Sequence, residues 1–170
     1  MIKFSKPDRK VIKVFLHCSD SDIPEHDNIE TITRWHVDEN GWTYIGYQYV
    51  ITQDGVVHKG RSLEIQPAAQ YPFNRDTIAI CLTGRYEFSE AQYDSLRELC
   101  SQIAEAYEYE ITFHGHNEID ISRTCPVFPY RNVLGLDKHG YITKAKPVIN
   151  KEPKSGNIIS RFFSFFGDLF

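Results

Sequence analysis

VIKVFLHCSD, residues 11–20, begins with a short apolar run, Val11–Leu16, of β-branched and aromatic character. It reads as a largely buried strand. The run ends in His17-Cys18-Ser19-Asp20, where Ser19 or Asp20 can begin a turn. A histidine there stands at the carboxyl end of a strand, where open α/β sheets place their chemistry. Downstream, Asn28 can cap a helix running to Asn40-Gly41, with Ile29, Ile32 and Trp35 or His36 at helical spacing. Tyr44–Thr52 reads as a strand, and Asp54-Gly55 turns it into Val56-Val57-His58 as a hairpin. Gln66–Asn74 is a loop with two prolines, and Thr77–Leu82 a short apolar strand. Phe88-Ser89-Glu90 opens a long helix to about Tyr107, with Leu96, Leu99, Cys100, Ile103 and Ala104 on one face. Glu110–His114 reads as a last strand, and Pro126 and Pro129 bracket a turn. The order β-α-β-β-β-α-β implies an α/β domain, a mixed central β-sheet flanked by helices.

The totals narrow the function. The 170 residues suit one domain with a short appendage. Net charge is −4, so no broad basic surface argues for nucleic acid. Aromatic content is 14%, enough to fill a core and still line a groove for an amphipathic or sugar-like ligand. Cys18, Cys81, Cys100 and Cys125 form no CxxC pair and no dense framework, which points to reduced thiols and synthesis in the cytoplasm. The N-terminus lacks the apolar h-region of a signal peptide, and no stretch approaches the ~18 apolar residues of a spanning helix.

FHGHNEIDISRTCPVF, residues 113–128, raises a metal question. Catalytic zinc takes three protein ligands, with histidine and cysteine favoured, and keeps a fourth position open. His116 and Cys125 can supply two, and His17 is the best candidate for the third. His114 and His116 share a face if the strand continues past Gly115, so a site using both is also geometrically possible. Cys18 points away from His17 on a strand and reads as a packed thiol, and Cys81 and Cys100 read as core.

The ordered motifs resemble the type 2 N-acetylmuramoyl-L-alanine amidases, a family of short phage endolysins related to animal peptidoglycan recognition proteins. The resemblance rests on Phe15–Ser19, Trp35-His36, Gly41-Trp42, Ile45-Gly46-Tyr47, Asp54-Gly55, Gly60-Arg61, Asn74, Thr77–Gly84, Phe88–Gln92, Ser95-Leu96, Gly115-His116, Cys125-Pro126 and Phe128. It covers roughly residues 11–135 and implies the amidase fold, one zinc ion and peptidoglycan as substrate. Position by position it implies His17, His116 and Cys125 as ligands. His114 then becomes a strand or supporting residue, and the loop from His116 to Cys125 is slightly longer than the family's usual one. The reaction implied is hydrolysis of the amide joining the lactyl group of N-acetylmuramic acid to L-alanine.

The same resemblance gives Tyr47 a role at the water or the oxyanion. It places Arg123 where phage members often carry lysine; arginine keeps the charge but cannot donate a proton. Glu118 falls at an acidic position that orients a ligand or holds the loop. Gln48 and Ala69 stand where phage members often have histidine, which bears on substrate contact and proton shuttling rather than metal binding; Asn74 closes the list of supporting or substrate positions. Two other readings keep the fold: a muropeptide-binding module without catalysis, and a secreted interbacterial toxin.

The organisation expected is a catalytic domain at 1–143, a lysine- and proline-containing linker at 144–156 and an amphipathic C-terminal helix at 157–170. On a helical wheel Ile158, Ile159, Phe162, Phe163, Phe165, Phe166, Leu169 and Phe170 fall within about 160° of arc. At ~1.5 Å per residue that helix is too short to span a bilayer. It can dock on the domain, lie on a membrane surface or meet a protein partner.

Overall fold

The computed structural model describes residues 2–143; the linker and amphipathic segment expected at 144–170 lie outside the described residues. The elements follow the expected order: β1 (Lys13–Cys18), α1 (Ile29–Arg34), β2 (Tyr49–Ile51), β3 (Val57–Lys59), β4 (Thr77–Leu82), α2 (Glu90–Glu105), β5 (Thr112–Gly115) and a short α3 (Tyr130–Val133). They build one five-stranded sheet in the order β3-β2-β4-β1-β5. β2, β4, β1 and β5 run parallel to one another, and β3 joins the β2 edge antiparallel, giving the mixed sheet.

Residue alternation along the strands sorts side chains onto two faces. Val14 and Leu16 of β1, Ile78, Ile80 and Leu82 of β4, and Phe113 of β5 share one apolar cluster with Leu96, Leu99, Cys100 and Ile103 of α2. On the other face Val50 and Cys81 pack with Ile32 of α1 and with Ile45. His17 and Phe15, offset by one residue from Leu16, belong to this second face. The two helices therefore cover opposite sides of the sheet, and the site grows on the α1 side.

Local chemistry fixes the helix starts. The Asn28 carboxamide oxygen accepts from Thr31 N–H at 2.7 Å, an N-cap. α1 continues through a π-helical turn, Trp35–Glu39, and stops at Asn40 before Gly41, whose φ is +69°. Ser89 and Gln92 form a reciprocal capping box at α2: the Ser89 hydroxyl accepts from Gln92 N–H and the Gln92 side-chain oxygen accepts from Ser89 N–H, both at 3.0 Å. The buried Gln92 amide also donates to the carbonyls of Ile51 and Thr83, tying the helix start to β2 and the end of β4.

The long strand expected over Tyr44–Thr52 is strand only at Tyr49–Ile51. Ahead of it the backbone finds other partners. Gly46 N–H donates to His36 Nδ1 at 3.0 Å, and Gly46 C=O accepts from Ala68 N–H at 3.0 Å. A Cβ at Gly46 would lie 2.6 Å from the Ala68 carbonyl oxygen, so only glycine lets the 66–76 loop close against this segment.

Candidate metal centre

His17 is the next-to-last residue of β1 and is 1% exposed. His116 directly follows β5 and opens a 3-10 turn, His116–Glu118. β1 and β5 are adjacent and parallel, so both histidines emerge at the same end of the sheet. Cys125 lies in the loop beyond. Asn117 N–H donates to Cys125 C=O at 2.7 Å, and Asp120 N–H to His116 C=O at 3.3 Å, folding the intervening residues back on themselves. A Cβ at Gly115 would meet Asn117 Oδ1 at 2.5 Å and Pro126 Cδ at 2.8 Å, so the glycine before the ligand position permits this tight return.

One donor atom from each of His17, His116 and Cys125 lies within 4.8 Å of the others. His17 Nδ1 and Cys125 Sγ are 3.7 Å apart. Zinc bonds of about 2.0–2.3 Å in tetrahedral geometry put a nitrogen and a sulfur ligand about 3.6 Å apart. The donor set, two imidazoles and a thiol, and its spacing therefore fit zinc. His17 also has the right protonation: burial, with His116 adding to it, pushes its pKa down to about 3, leaving a neutral imidazole. Burial and then the Arg123 charge lower His116 as well. The neighbouring Cys18 thiol and burial hold the proton on Cys125, so a cation must displace it. Cys18 is the packed thiol expected, 6% exposed. It is buried beside the site, and its N–H donates to Cys125 Sγ at 3.3 Å.

These residues form one wall of a groove of about 430 Å³, which Tyr47, His36, Trp42, Arg123 and Ala69 also line. The Tyr47 ring stands between His17 and His36, with ring centres 5.2 and 5.3 Å away. Burial, with nearby cysteines adding to it, raises the Tyr47 pKa well above its ordinary value, so its hydroxyl remains a donor. Arg123 sits on the exposed rim, its Nε 3.3 Å from Asp120 Oδ2. His36 stacks on Trp42 at 4.6 Å, and its Nδ1 is occupied by Gly46 N–H, which leaves the proton on Nε2.

Glu118 and His114 form a clamp away from the groove. Glu118 Oε2 accepts from His114 Nδ1 at 2.7 Å, while Oε1 accepts from Arg131 at 2.7 Å and from the Tyr130 hydroxyl. Burial opposes the Glu118 charge, but these donors outweigh it and hold the carboxyl below its usual range. The clamp ties β5, the 3-10 turn and α3 together, so Glu118 holds the loop rather than touching His116.

Gln48 does not line the groove. It is 1% exposed; its amide donates to Ile65 C=O at 2.9 Å, and its oxygen accepts from Ala79 N–H at 2.8 Å. Asn74 shapes the 66–76 loop, its side-chain oxygen accepting from Ala69 and Gln70 N–H at 3.1 and 3.0 Å. The loop delivers a residue the sequence reading missed: Gln70, fully buried, with its side-chain oxygen 3.2 Å from His17 Nε2.

The family profile described as N-acetylmuramoyl-L-alanine amidase matches residues 7–128. The chain belongs to this amidase family. It is 30% identical over 123 residues to the endolysin of Escherichia phage T7, an alignment covering 68% of this chain and 80% of that one. It is also 30% identical over 107 residues to peptidoglycan-recognition protein SC2 of Drosophila melanogaster, covering 58% and 55% respectively. Among solved structures, the Ph2119 endolysin from the Thermus scotoductus MAT2119 bacteriophage superimposes with a TM-score of 0.66. That pair is 25% identical, with 79% of this chain and 87% of the other covered. The amidase fold expected from the motifs is the fold observed, and membership makes the chain an amidohydrolase.

Proposed function

We propose that this amidase cleaves the lactyl–L-alanine amide of peptidoglycan as an endolysin-type enzyme, with one zinc ion held by His17, His116 and Cys125. The observation that carries the reading is the convergence of those three donor atoms within 4.8 Å along one wall of the groove. Bound zinc supplies Lewis acidity, which makes water a nucleophile near neutral pH and polarises an amide carbonyl.

The chain's own groups do the rest. The Tyr47 hydroxyl, kept protonated by its surroundings, donates a hydrogen bond to the oxygen that becomes negative as the carbonyl is attacked. Arg123 places a permanent positive charge on the groove rim, where it steadies the same developing charge or a carboxylate of the peptide stem. Trp42, half-stacked on His36 and 38% exposed, offers a flat apolar surface to the saccharide. The Glu118 clamp keeps the turn that presents His116 from drifting.

The test is release of muropeptides from purified cell walls by wild type and Cys125→Ala, with and without chelator. New free L-alanine amino termini without new reducing sugar ends, lost in the variant and with chelator, are expected. Binding to walls with no release by wild type would refute the reading and leave a muropeptide-binding module.

A further inference from the structure

We infer that Gln70 is a positioning residue that fixes the tautomer of His17 and thereby selects Nδ1 as its metal-binding atom. The inference rests on the reading of His17 as a zinc ligand, but the proton assignment itself follows from a chain of hydrogen bonds. It starts at a group whose role is not negotiable. The Asn74 carbonyl oxygen can only accept, and the Thr77 hydroxyl lies 2.7 Å from it. The single hydroxyl proton of Thr77 is therefore directed at Asn74, and Thr77 Oγ1 must act as acceptor toward its other neighbour.

That neighbour is the Gln70 side chain, 2.7 Å away. Only the amide NH₂ can donate, so Gln70 Nε2 faces Thr77 and Oε1 faces the opposite way. Oε1 lies 3.2 Å from His17 Nε2. An amide oxygen cannot donate, so the imidazole proton sits on Nε2. The lone pair then lies on Nδ1, the nitrogen 3.7 Å from Cys125 Sγ. The relay Asn74–Thr77–Gln70–His17 thus points the one usable lone pair of this histidine at the thiol that would share the ion.

Burial makes the relay stringent. His17, Gln70 and Thr77 are 1%, 0% and 2% exposed. A buried imidazole whose N–H loses its acceptor has an incentive to move the proton to the other nitrogen, which would cancel the ligand. A hydrogen-bonded partner on the far nitrogen also raises the basicity of the ligating one. Gln70 itself is held by its backbone, whose N–H donates to Asn74 Oδ1 at 3.0 Å. Asn74 therefore anchors the relay twice, through its side chain to the loop and through its carbonyl to Thr77.

The experiment uses the full chain, first stripped of metal. Long-range proton–nitrogen correlation spectra of the histidine rings should show His17 of the wild type protonated at Nε2 and bare at Nδ1. Zinc affinity is then measured by chelator competition in wild type, Gln70→Leu and Gln70→Glu. Gln70→Leu should weaken zinc binding about 10- to 100-fold and populate the Nδ1-protonated tautomer. Gln70→Glu restores an acceptor for Nε2–H, to which Thr77 can turn its hydroxyl, and should return the affinity to within a few-fold of wild type.

A wild-type His17 carrying its proton on Nδ1 overturns the inference without any variant being needed. So does zinc affinity in Gln70→Leu within twofold of wild type. A loss that Gln70→Glu fails to restore would mean Gln70 only fills space, and would overturn it too. If the wild type binds no zinc, the proposed function fails, whereas the tautomer assignment in the metal-free chain still stands or falls on the spectrum.

Discussion

Replacing Gln48 by leucine should destabilise the protein while sparing its chemistry. The side chain bridges two segments: it accepts from Ala79 N–H in the central strand β4 and donates to Ile65 C=O in the loop after β3. Leucine keeps the volume, so no cavity is added. It leaves the Ala79 N–H, in a residue with no exposure, without a partner. An orphaned buried backbone group costs about 1–3 kcal/mol. The Ile65 carbonyl belongs to a residue 40% exposed and can turn to water, so it adds little. In a domain of this size each kcal/mol moves the melting temperature by about 3–4 °C. The expected drop is therefore about 3–12 °C in thermal melts followed by circular dichroism with zinc present. Turnover on cell walls well below the melting point should stay within about twofold of wild type, because Gln48 does not reach the groove. An unchanged melting temperature, or a tenfold loss of turnover by fully folded protein, would refute the reasoning and return Gln48 to the substrate side.

Three further outcomes follow from the site. Zinc at 100-fold above its dissociation constant should stabilise the wild type by about 2.7 kcal/mol, seen as a rise of about 8–10 °C in melting temperature; Cys125→Ser should lose most of that rise, and an equal rise in the variant would remove Cys125 from the ligand set. Tyr47→Phe should lower kcat by about 10²–10³-fold, the usual effect of deleting one oxyanion donor, with zinc affinity by chelator competition unchanged; a kcat within threefold of wild type would leave Tyr47 a groove wall only. Glu118→Gln weakens the charge-assisted bonds from Arg131 and His114 and should cost about 1–2 kcal/mol in urea unfolding once their partial exposure is allowed for; no change in unfolding would show that the clamp does not hold the turn at His116.

How much of this was written in the chain depends on the range over which each signal acts. The strands β1 and β4 and helix α2 were legible because apolar runs and a capping serine are local. The candidate positions His116 and Cys125 stood out through the family resemblance at Gly115-His116 and Cys125-Pro126, and the fold brings their donor atoms within 4.8 Å of His17. The supporting residues were not legible, for opposite reasons. Gln48 follows Tyr47 where the resemblance implies a substrate-side position. It is buried because the chain ahead of β2 leaves the ladder and bonds to His36 and Ala68, so β4 needs a side-chain acceptor at Ala79. Gln70 had no local mark at all, since its partner His17 lies 53 residues earlier. A physical question would still have pointed at it. Once His17 is taken as a buried ligand, its second ring nitrogen needs a partner, and that partner must come from a segment packed against the end of β1. The loop before β4, strand partner of β1, is such a segment, and Gln70 and Asn74 have the side-chain oxygens to supply it. Resemblance marks the candidate ligands, but what aims them has to be sought by asking where each remaining donor and acceptor goes.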